Sequence, residues 1–324
     1  MIDKSFFRAD PYTYFRDLFI SLLLFLTGFV GAAHTTGGLS IACYFVCVIG
    51  LHRAGVFGHE LTHRPNDKTM RPFYWVWNMT IGCMIMVPSA RFFQPHKIHH
   101  KNGTFRTKDD PQYLLVRSDG KVAFFVLIVL PFITPLFGLF QTIVASIGGM
   151  KLEDAVDKFS REKLNFSTGT PIPEKMREEV VWLSRLSFLY FCALVIFLPQ
   201  FVVFYYAVLV GAWFLIVLRI PLEHELERHA ESSNQADQMY DSFSVETPFA
   251  AIIQPIGFRY HTAHHMYPGV PYHNLPGLHQ HLKATIPAYS NSIVSYWDLI
   301  KGPGYQKPND LTQKQTEETQ EETQ

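Results

Sequence analysis

Two long stretches without charged residues constrain the fold more than any other feature of this chain. No Asp, Glu, Lys or Arg occurs between Asp17 and Arg53, and none occurs between Arg185 and Arg219. A membrane-spanning helix needs about 20 predominantly apolar residues, so each stretch is long enough for two spans of the shorter kind. The sequence therefore predicts a membrane protein rather than a soluble domain.

Turn-forming residues divide each of these stretches in two. The run His34–Gly38 (HTTGG) interrupts the first stretch, and Pro199 with Gln200 interrupts the second. Gly and Pro are the strongest local breaks in regular structure. We therefore expect two transmembrane helical hairpins, 18–53 and 186–219, which make four spans.

Histidines are the second informative feature, since fifteen of them occur in the chain. Residues four apart share one face of a helix, and residues three apart lie nearly on it. Three clusters of histidines have such spacing, and a single further histidine follows the second hairpin. These candidate ligands are His59 and His63; His96, His99 and His100; His261, His264 and His265; and His224.

The number of candidate ligands indicates two metal ions. A structural zinc takes four protein ligands and a catalytic zinc three, so eight or nine imidazoles exceed the need of one ion. Imidazole suits iron, copper, zinc and nickel, and we expect two irons. His229 lies five residues beyond His224, but a position on a helix surface fits it better.

Acidic residues near these histidines are candidates to orient them. A metal-bound imidazole usually donates its other N–H to a carboxylate or another oxygen. The candidates are Glu60, Glu223, Asp109, Asp110 and Glu246. The remaining histidines are interpreted as ordinary surface or core residues: His34, His52, His273, His279 and His281.

One competing interpretation applies to the first cluster. The residues His59-Glu60-Leu61-Thr62-His63 match the H-E-x-x-H pattern of zinc proteases, in which Glu60 would be the general base. That interpretation leaves the second and third clusters without a role, so we favour the two-metal site.

The clusters can form one site only if they lie on one side of the membrane, so an even number of crossings must separate them. Two other apolar stretches, Phe73–Pro88 and Val122–Gly149, are each too short for two full spans, and Pro131 and Pro135 interrupt the latter. We expect both to be interfacial or re-entrant. A crossing by Val122–Gly149 would contradict the single site.

Charge sets the expected orientation and excludes one class of partner. Lys and Arg are frequent in 53–121 and absent from both hairpin turns, so the histidine side should be cytoplasmic. The formal net charge is +0, which argues against a nucleic-acid partner. The four cysteines lie in apolar runs without metal-ligand spacing and are expected to be buried small side chains.

The expected fold is an all-α membrane protein with a single membrane domain, 1–305. A cytoplasmic helical cap formed by 54–121 and 220–300 would carry the histidines. The tail 306–324 is rich in Gln, Thr and Glu and should be disordered.

These motifs resemble the membrane fatty acid desaturase superfamily, whose three histidine boxes are H-x(3–4)-H, H-x(2–3)-H-H and H-x(2–3)-H-H. The order of the clusters and the hairpins between them match over roughly 18–282. Residues 96–113 (HKIHHKNGTFRTKDDPQY) look like the second-box region of bacterial members, and residues 260–279 (YHTAHHMYPGVPYHNLPGLH) look like the third-box region of acyl-lipid desaturases. The stretch Leu218–His224 resembles the part that supplies one more ligand.

The resemblance implies a di-iron centre on the cytoplasmic face that uses O2 to attack an unactivated C–H bond of a lipid chain. The sequence contains no His-Pro-Gly-Gly motif of a fused cytochrome b5 domain, so a separate electron donor of ferredoxin, rubredoxin or cytochrome b5 type is expected. The first cluster is short and has Glu60 where the family often has Asp, which leaves the subfamily open.

Three functions remain in competition. An acyl-lipid (fatty acid) desaturase is favoured by the third-box region. A lipid, alkane or carotenoid hydroxylase or ketolase would carry the same boxes. A membrane metal carrier or inactive scaffold is disfavoured because the hairpins lack the ionisable groups that mark an ion pathway.

Overall fold

A computed structural model describes residues 2–107, 109–112, 120–164, 171–224 and 235–300. The predicted tail 306–324 and His229 lie outside the described residues. Within these ranges five helices are long and apolar enough to cross a membrane, which makes this a multi-pass membrane protein.

The first hairpin consists of helices α1 (Pro11–His34) and α2 (Gly37–Gly55). Asp10 is the N-cap of α1, since its side chain accepts hydrogen bonds from the backbone N–H groups of residues 12 and 13. Pro11 suits the first helical position. The turn falls at Thr35 and Thr36, within the predicted HTTGG break.

Small residues let the two helices of this hairpin approach closely. A Cβ atom on Gly28 would lie 2.4 Å from the backbone nitrogen of Cys47, and one on Gly50 would lie 2.3 Å from that of Phe25. Backbones that close admit only glycine, and dispersion contacts of this kind hold helices together in a lipid environment.

The second hairpin consists of α7 (Glu174–Phe197) and α8 (Val202–Glu223), joined by a 3-10 turn at Pro199–Phe201. The break lies at the predicted proline. The hairpin ends at Glu223, close to the predicted 219, whereas α7 begins about three turns before the predicted 186 because its charged first half is also helical.

The stretch Val122–Gly149 differs from expectation. It belongs to α6 (Gly120–Leu164), whose part Ile128–Ser160 is a fifth candidate span, where the sequence predicted four. Pro131 and Pro135 lie inside α6 without ending it. The conformational break comes instead at Gly149, with φ 61° and ψ −163°.

The contacts of α6 define its direction. The Tyr206 hydroxyl, in the first turns of α8, donates to the Phe132 carbonyl at 2.9 Å. At the other end, the Arg91 guanidinium donates to the Glu153 carboxylate at 2.9 Å. These contacts place residue 132 beside the hairpin-turn end of α8 and residue 153 beside α5, which carries His96.

The stretch Phe73–Pro88 forms no long helix. It contains most of α4 (Arg71–Trp77) and a π-helical turn (Asn78–Gly82), and α5 (Ser89–His99) begins directly after it. The carbonyl of Met84 accepts a hydrogen bond from Tyr205 in α8 at 2.5 Å, so this stretch packs into the bundle.

Short elements at one end of the bundle form a cap, which includes α3 (Phe57–Thr62), α9 (Gln235–Tyr240), α10 (Ala250–Ile253), α11 (His261–Met266), α12 (Leu275–Thr285) and α13 (Tyr296–Ile300). Strands β1 (Ser244–Val245) and β2 (Ile293–Val294) pair in parallel, with residue 244 opposite 293. A buried cluster built around Tyr14, Phe57, Trp77, Leu278 and Tyr289 joins this cap to α1.

The close approach in the first hairpin generates a stability prediction. Replacing Gly50 with Leu should lower the melting temperature in detergent, because the new side chain forces the backbones of α1 and α2 apart, at a cost of about 1–3 kcal/mol. Gly38→Leu is the matched control, since a Cβ there meets nothing within 4 Å. Equal melting temperatures for the two variants would contradict the packing described.

Candidate metal centre

Short helices at the cap side of the bundle present the histidines. His59 lies in α3, directly beyond α2, and His63 follows the last residue of α3. His96 and His99 lie in the last turn of α5 and His100 follows its last residue, and the third cluster makes up most of α11. His224 caps the C-terminus of α8 with an extended backbone, φ −134° and ψ 147°.

Five imidazoles converge on one point. The Nε2 atoms of His63 and His96 are 2.7 Å apart, those of His96 and His100 are 3.0 Å apart, and those of His100 and His264 are 3.1 Å apart. His59 completes this group, and one nitrogen of each member lies within 4.8 Å of those of all the others. We call these residues the five-histidine group.

Four further imidazoles converge on a second point. The Nε2 atoms of His224 and His261 are 2.9 Å apart, and those of His261 and His265 are 3.1 Å apart. His99 is the fourth member, again with ligand nitrogens within 4.8 Å of one another. We call these residues the four-histidine group. The structure thus brings together all nine histidines that the sequence nominated, as two adjacent groups.

The spacing of these nitrogens fits metal coordination. Two imidazole nitrogens bound at 2.0–2.1 Å to one ion, at right angles, would lie about 3 Å apart. Both ring nitrogens of His59 are buried and have no hydrogen-bond partner among the described residues, so its converging nitrogen is available to an ion. A shared ion would engage the converging nitrogens, so the residues present fit a two-metal site.

Burial keeps these imidazoles in the form that binds metals. Removal from water lowers the pKa of His63 to about 3 and holds the pKa values of His96, His100, His264 and His265 well below the usual range, with neighbouring histidines adding to the effect. These rings are therefore neutral at neutral pH, and a metal would displace no proton from the coordinating nitrogen.

Three hydrogen bonds orient the rings from behind. Asp110 lies 2.9 Å from His99 Nδ1, Gln112 lies 3.0 Å from His96 Nδ1, and Gln238 lies 3.1 Å from His265 Nδ1. An oxygen acceptor at Nδ1 fixes the tautomer and leaves Nε2 free to coordinate. Asp110 was nominated from the sequence, whereas the two glutamines were missed because their positions follow no metal-ligand spacing.

Asp110 is itself held in its charged form. Burial opposes its ionisation, yet its pKa lies below the ordinary value because the His99 ring and the backbone N–H groups of Arg106 and Gln112 favour the carboxylate. The backbone of Arg106 donates to Asp110 at 3.0 Å and that of Gln112 at 3.0 Å. The His99 imidazole therefore faces a fixed negative charge.

The other nominated acids lie in different environments. Glu60 accepts hydrogen bonds from the Tyr14 hydroxyl at 2.8 Å and the Tyr272 backbone at 3.1 Å, and its other oxygen is 3.8 Å from His59 Nδ1. Glu223 lies 3.9 Å from His261 Nδ1. Both carboxylates are near the histidine groups without a direct hydrogen bond to them.

Two nominated acids contact neither group. Asp109 is exposed, and Glu246 binds His279 and Lys283. The histidines that the sequence analysis assigned to ordinary positions, including His52 and His279, also lie outside both groups. The zinc-protease interpretation gains no support, because His59 and His63 share their point of convergence with histidines from α5 and α11.

An apolar cavity of about 110 Å³ opens beside the five-histidine group. His59 forms part of its wall, and we call it the His59 cavity. Its other walls come from α2, α4, α5 and α8, and include Leu51, Trp77, Phe92, Leu209 and Trp213. A larger cavity of about 240 Å³, between α1, α7 and α8, has no histidine in its lining and lies away from the groups.

The Asp110–His99 pair generates a metal-binding prediction. Asp110→Asn should weaken metal binding about 10- to 100-fold, because an amide cannot supply the charge that supports His99. Anaerobic titration with Fe2+ measures the change. Asp109→Asn is the control, since Asp109 is exposed and should leave the affinity unchanged. Identical affinities for both variants would show that Asp110 does not support a ligand.

Comparisons with known proteins agree with this arrangement. The sequence profile of the fatty acid desaturase family matches residues 35–297. A protein described as a ceramide hydroxylase, from Caulobacter vibrioides (strain NA1000 / CB15N), is 30% identical over 296 residues, which cover 86% of this chain and 82% of that protein. The resemblance inferred from the histidine clusters is thereby confirmed, and so is an oxygen-dependent oxidoreductase activity. The chain belongs to the fatty acid desaturase family.

Proposed function

We propose that the nine histidines hold two iron ions, one in the five-histidine group and one in the four-histidine group. The convergence of their nitrogens and the burial of most of their side chains support this assignment. Irons bound there would supply the reduction of O2 and the removal of hydrogen from an unactivated C–H bond. The chain contributes the coordination geometry through Asp110, Gln112 and Gln238.

We propose that the enzyme hydroxylates a lipid chain. The observation that carries this is the His59 cavity, which is apolar, lies among membrane helices and has a candidate metal ligand in its wall. A lipid chain entering from the bilayer would exchange one apolar environment for another and would bring one carbon to the metals. The similarity to a ceramide hydroxylase favours hydroxylation.

The two reactions of this family differ in where the hydrogen and oxygen go. In hydroxylation, one C–H bond becomes C–OH, the second oxygen atom leaves as water, and two electrons and two protons are consumed. In desaturation, two hydrogens leave neighbouring carbons and both oxygen atoms leave as water. Fatty acid desaturation is the second candidate, because the family match supports it.

Both reactions need two electrons from outside. We propose a separate ferredoxin, rubredoxin or cytochrome b5 type of donor, which would approach from the cap side. The role of the chain here is to exclude bulk water from the groups, whose histidines His96, His99, His261, His264 and His265 are all buried.

We propose that the cap faces the cytoplasm and that the histidine clusters share one side despite the fifth candidate span. Gln112 binds His96 and Glu153 binds Arg91, so both ends of the segment 112–153 lie at the cap. Phe132, between them, contacts Tyr206 at the far end of α8. These contacts support a path that leaves the cap side and returns to it, which would preserve an even number of crossings.

This orientation generates a labelling prediction. In a background without native cysteines, a cysteine introduced at Asp109 should react with an impermeant thiol reagent only from the cytoplasmic side, because Asp109 is exposed on the cap. Cysteines at Thr36 and Gln200, in the two hairpin turns, should react only from the opposite side. Labelling of Asp109→Cys and Thr36→Cys from the same side would contradict the proposal.

The function itself is tested on lipids. Mass spectrometry of lipid extracts from cells expressing the protein should show a new hydroxyl group on a lipid, and a new double bond would favour the second candidate. His264→Ala should abolish the product, because it removes a ligand from the five-histidine group. His281→Ala is the control, since His281 lies outside both groups and should retain most activity.

A further inference from the structure

One short segment, 83–87, forms part of the wall of both apolar cavities. Met84 and Met86 line the cavity of about 240 Å³, which we call the large cavity. Ile85 and Val87 line the His59 cavity. Because consecutive residues face the two spaces, the thickness of this segment is what separates them. We call 83–87 the partition.

The two cavities also follow one another along α8. Tyr205 lines the large cavity, and Leu209 lines the His59 cavity. Residues four apart share one face of a helix, so these two side chains are neighbours on α8. One buried cluster contains Phe25 and Met86 of the first lining together with Leu209 of the second. The linings of the two cavities are therefore packed against each other.

The large cavity is the one further from the cap. Phe29, Leu194 and Tyr205 in its lining lie within about two turns of the ends at which their helices enter the hairpin turns. The His59 cavity reaches Arg219, near the cap end of α8. Between residues 205 and 219 that helix rises roughly 21 Å. The two cavities thus form a line from the five-histidine group toward the hairpin turns.

The large cavity is chemically suited to hydrocarbon. Among the described residues its lining contains no charged side chain, and its four polar side chains all donate to backbone carbonyls. These hydrogen bonds run from Cys83 and Ser187 to Leu183, from Tyr190 to Met79, and from Tyr205 to Met84. A polar headgroup would lose its hydration there without gaining a donor, whereas a hydrocarbon chain loses nothing.

Neither cavity alone has the volume of an ordinary ligand site. Pockets for small ligands commonly measure about 300–1,000 Å³. The His59 cavity measures about 110 Å³ and the large cavity about 240 Å³. Only the two together reach the lower end of this range, so a long lipid chain needs both.

The partition is built from residues that can yield. Two of its side chains are methionines, which are unbranched and repack readily around different shapes. Met86 has a φ of 59°, which is uncommon for a residue other than glycine. Backbone outliers of this kind cluster at functional sites. Rotation of side chains in the partition can therefore connect the cavities without a movement of the helices.

We propose that the large cavity binds the methyl end of the lipid chain whose reacting carbon lies in the His59 cavity, and that the chain passes the partition between them. This inference rests on the proposed function and adds to it a binding site and a direction for the substrate. The polar end of the lipid lies toward the cap, and the methyl end lies toward the hairpin turns. The far wall of the large cavity, at Leu194, then limits the length of the chain.

Photo-crosslinking tests this site without requiring turnover. Cells that express the protein are fed a long-chain fatty acid with a photoreactive diazirine at its methyl end, so that their own lipids carry the probe. After purification and irradiation, mass spectrometry should find crosslinks at Phe191, which lines the large cavity. Leu194→Trp fills the cavity and should lower crosslinking at Phe191 about tenfold. Ile196→Trp is the control, since Ile196 is 67% exposed and lies outside the lining.

A variant in the other cavity identifies the occupant. Ala212→Phe narrows the His59 cavity, so a chain that extends from that cavity should also give about tenfold less crosslinking at Phe191. The tail of an unrelated bilayer lipid, entering the large cavity directly, would leave the crosslinking unchanged and would overturn the inference. Gly55→Leu, in the α2 wall of the His59 cavity, serves if the phenylalanine variant does not fold or loses iron.

Product analysis separates this inference from the proposed function. In lipid extracts, Leu194→Trp should shift the oxidised lipids toward shorter chains, with the longest products falling about tenfold, whereas Ile196→Trp should give the wild-type distribution. Equal distributions in the two variants, or oxidation at the methyl end of the chain, would overturn the inference. The expected crosslinks without any oxidised product would support the binding site and contradict the proposed function.

Discussion

Nine imidazoles whose nitrogens converge on two buried points are the constraint on which the rest of the structure depends. Metal ions at the two points would coordinate the converging nitrogens and so tie the cap elements that carry them, α3, α5 and α11, to the end of α8. The flanking groups are consistent with this, because Asp110, Gln112 and Gln238 fix rings from the side opposite to the convergence.

The membrane helices bring these groups to a common depth. α2 leads directly into α3 and His59, and α8 ends at His224, so both hairpins contribute a ligand at their cap ends. Hydrogen bonds then tie the cap to the first helix. Glu60 accepts from Tyr14 of α1 and from the backbone of Tyr272, whose hydroxyl donates to Asp17 of α1 at 2.7 Å. Residues of α1 and Tyr272 thus pack against the first cluster.

Local patterns in the sequence predicted the parts of this arrangement that depend on neighbouring residues. The uncharged stretches indicated the hairpins, and the spacing of histidines indicated which residues share a helical face. The same patterns could not show that the segment 120–164 is helical on both sides of its break at Gly149, because prolines 131 and 135 and the charged end of the segment argue against helix there. Gln112 and Gln238 were missed for a related reason, since their roles come from contacts made only in the folded chain.

The same geometry joins chemistry to substrate. The five-histidine group borders the apolar His59 cavity, and the partition 83–87 separates that cavity from the large cavity. The central claim is that the two groups bind two irons, and metal analysis of the purified protein tests it most directly. The expected result is about two irons per chain with little zinc. The His264→Ala variant should lose iron and should form no product. One zinc per chain and no iron, in an active wild-type protein, would contradict the claim.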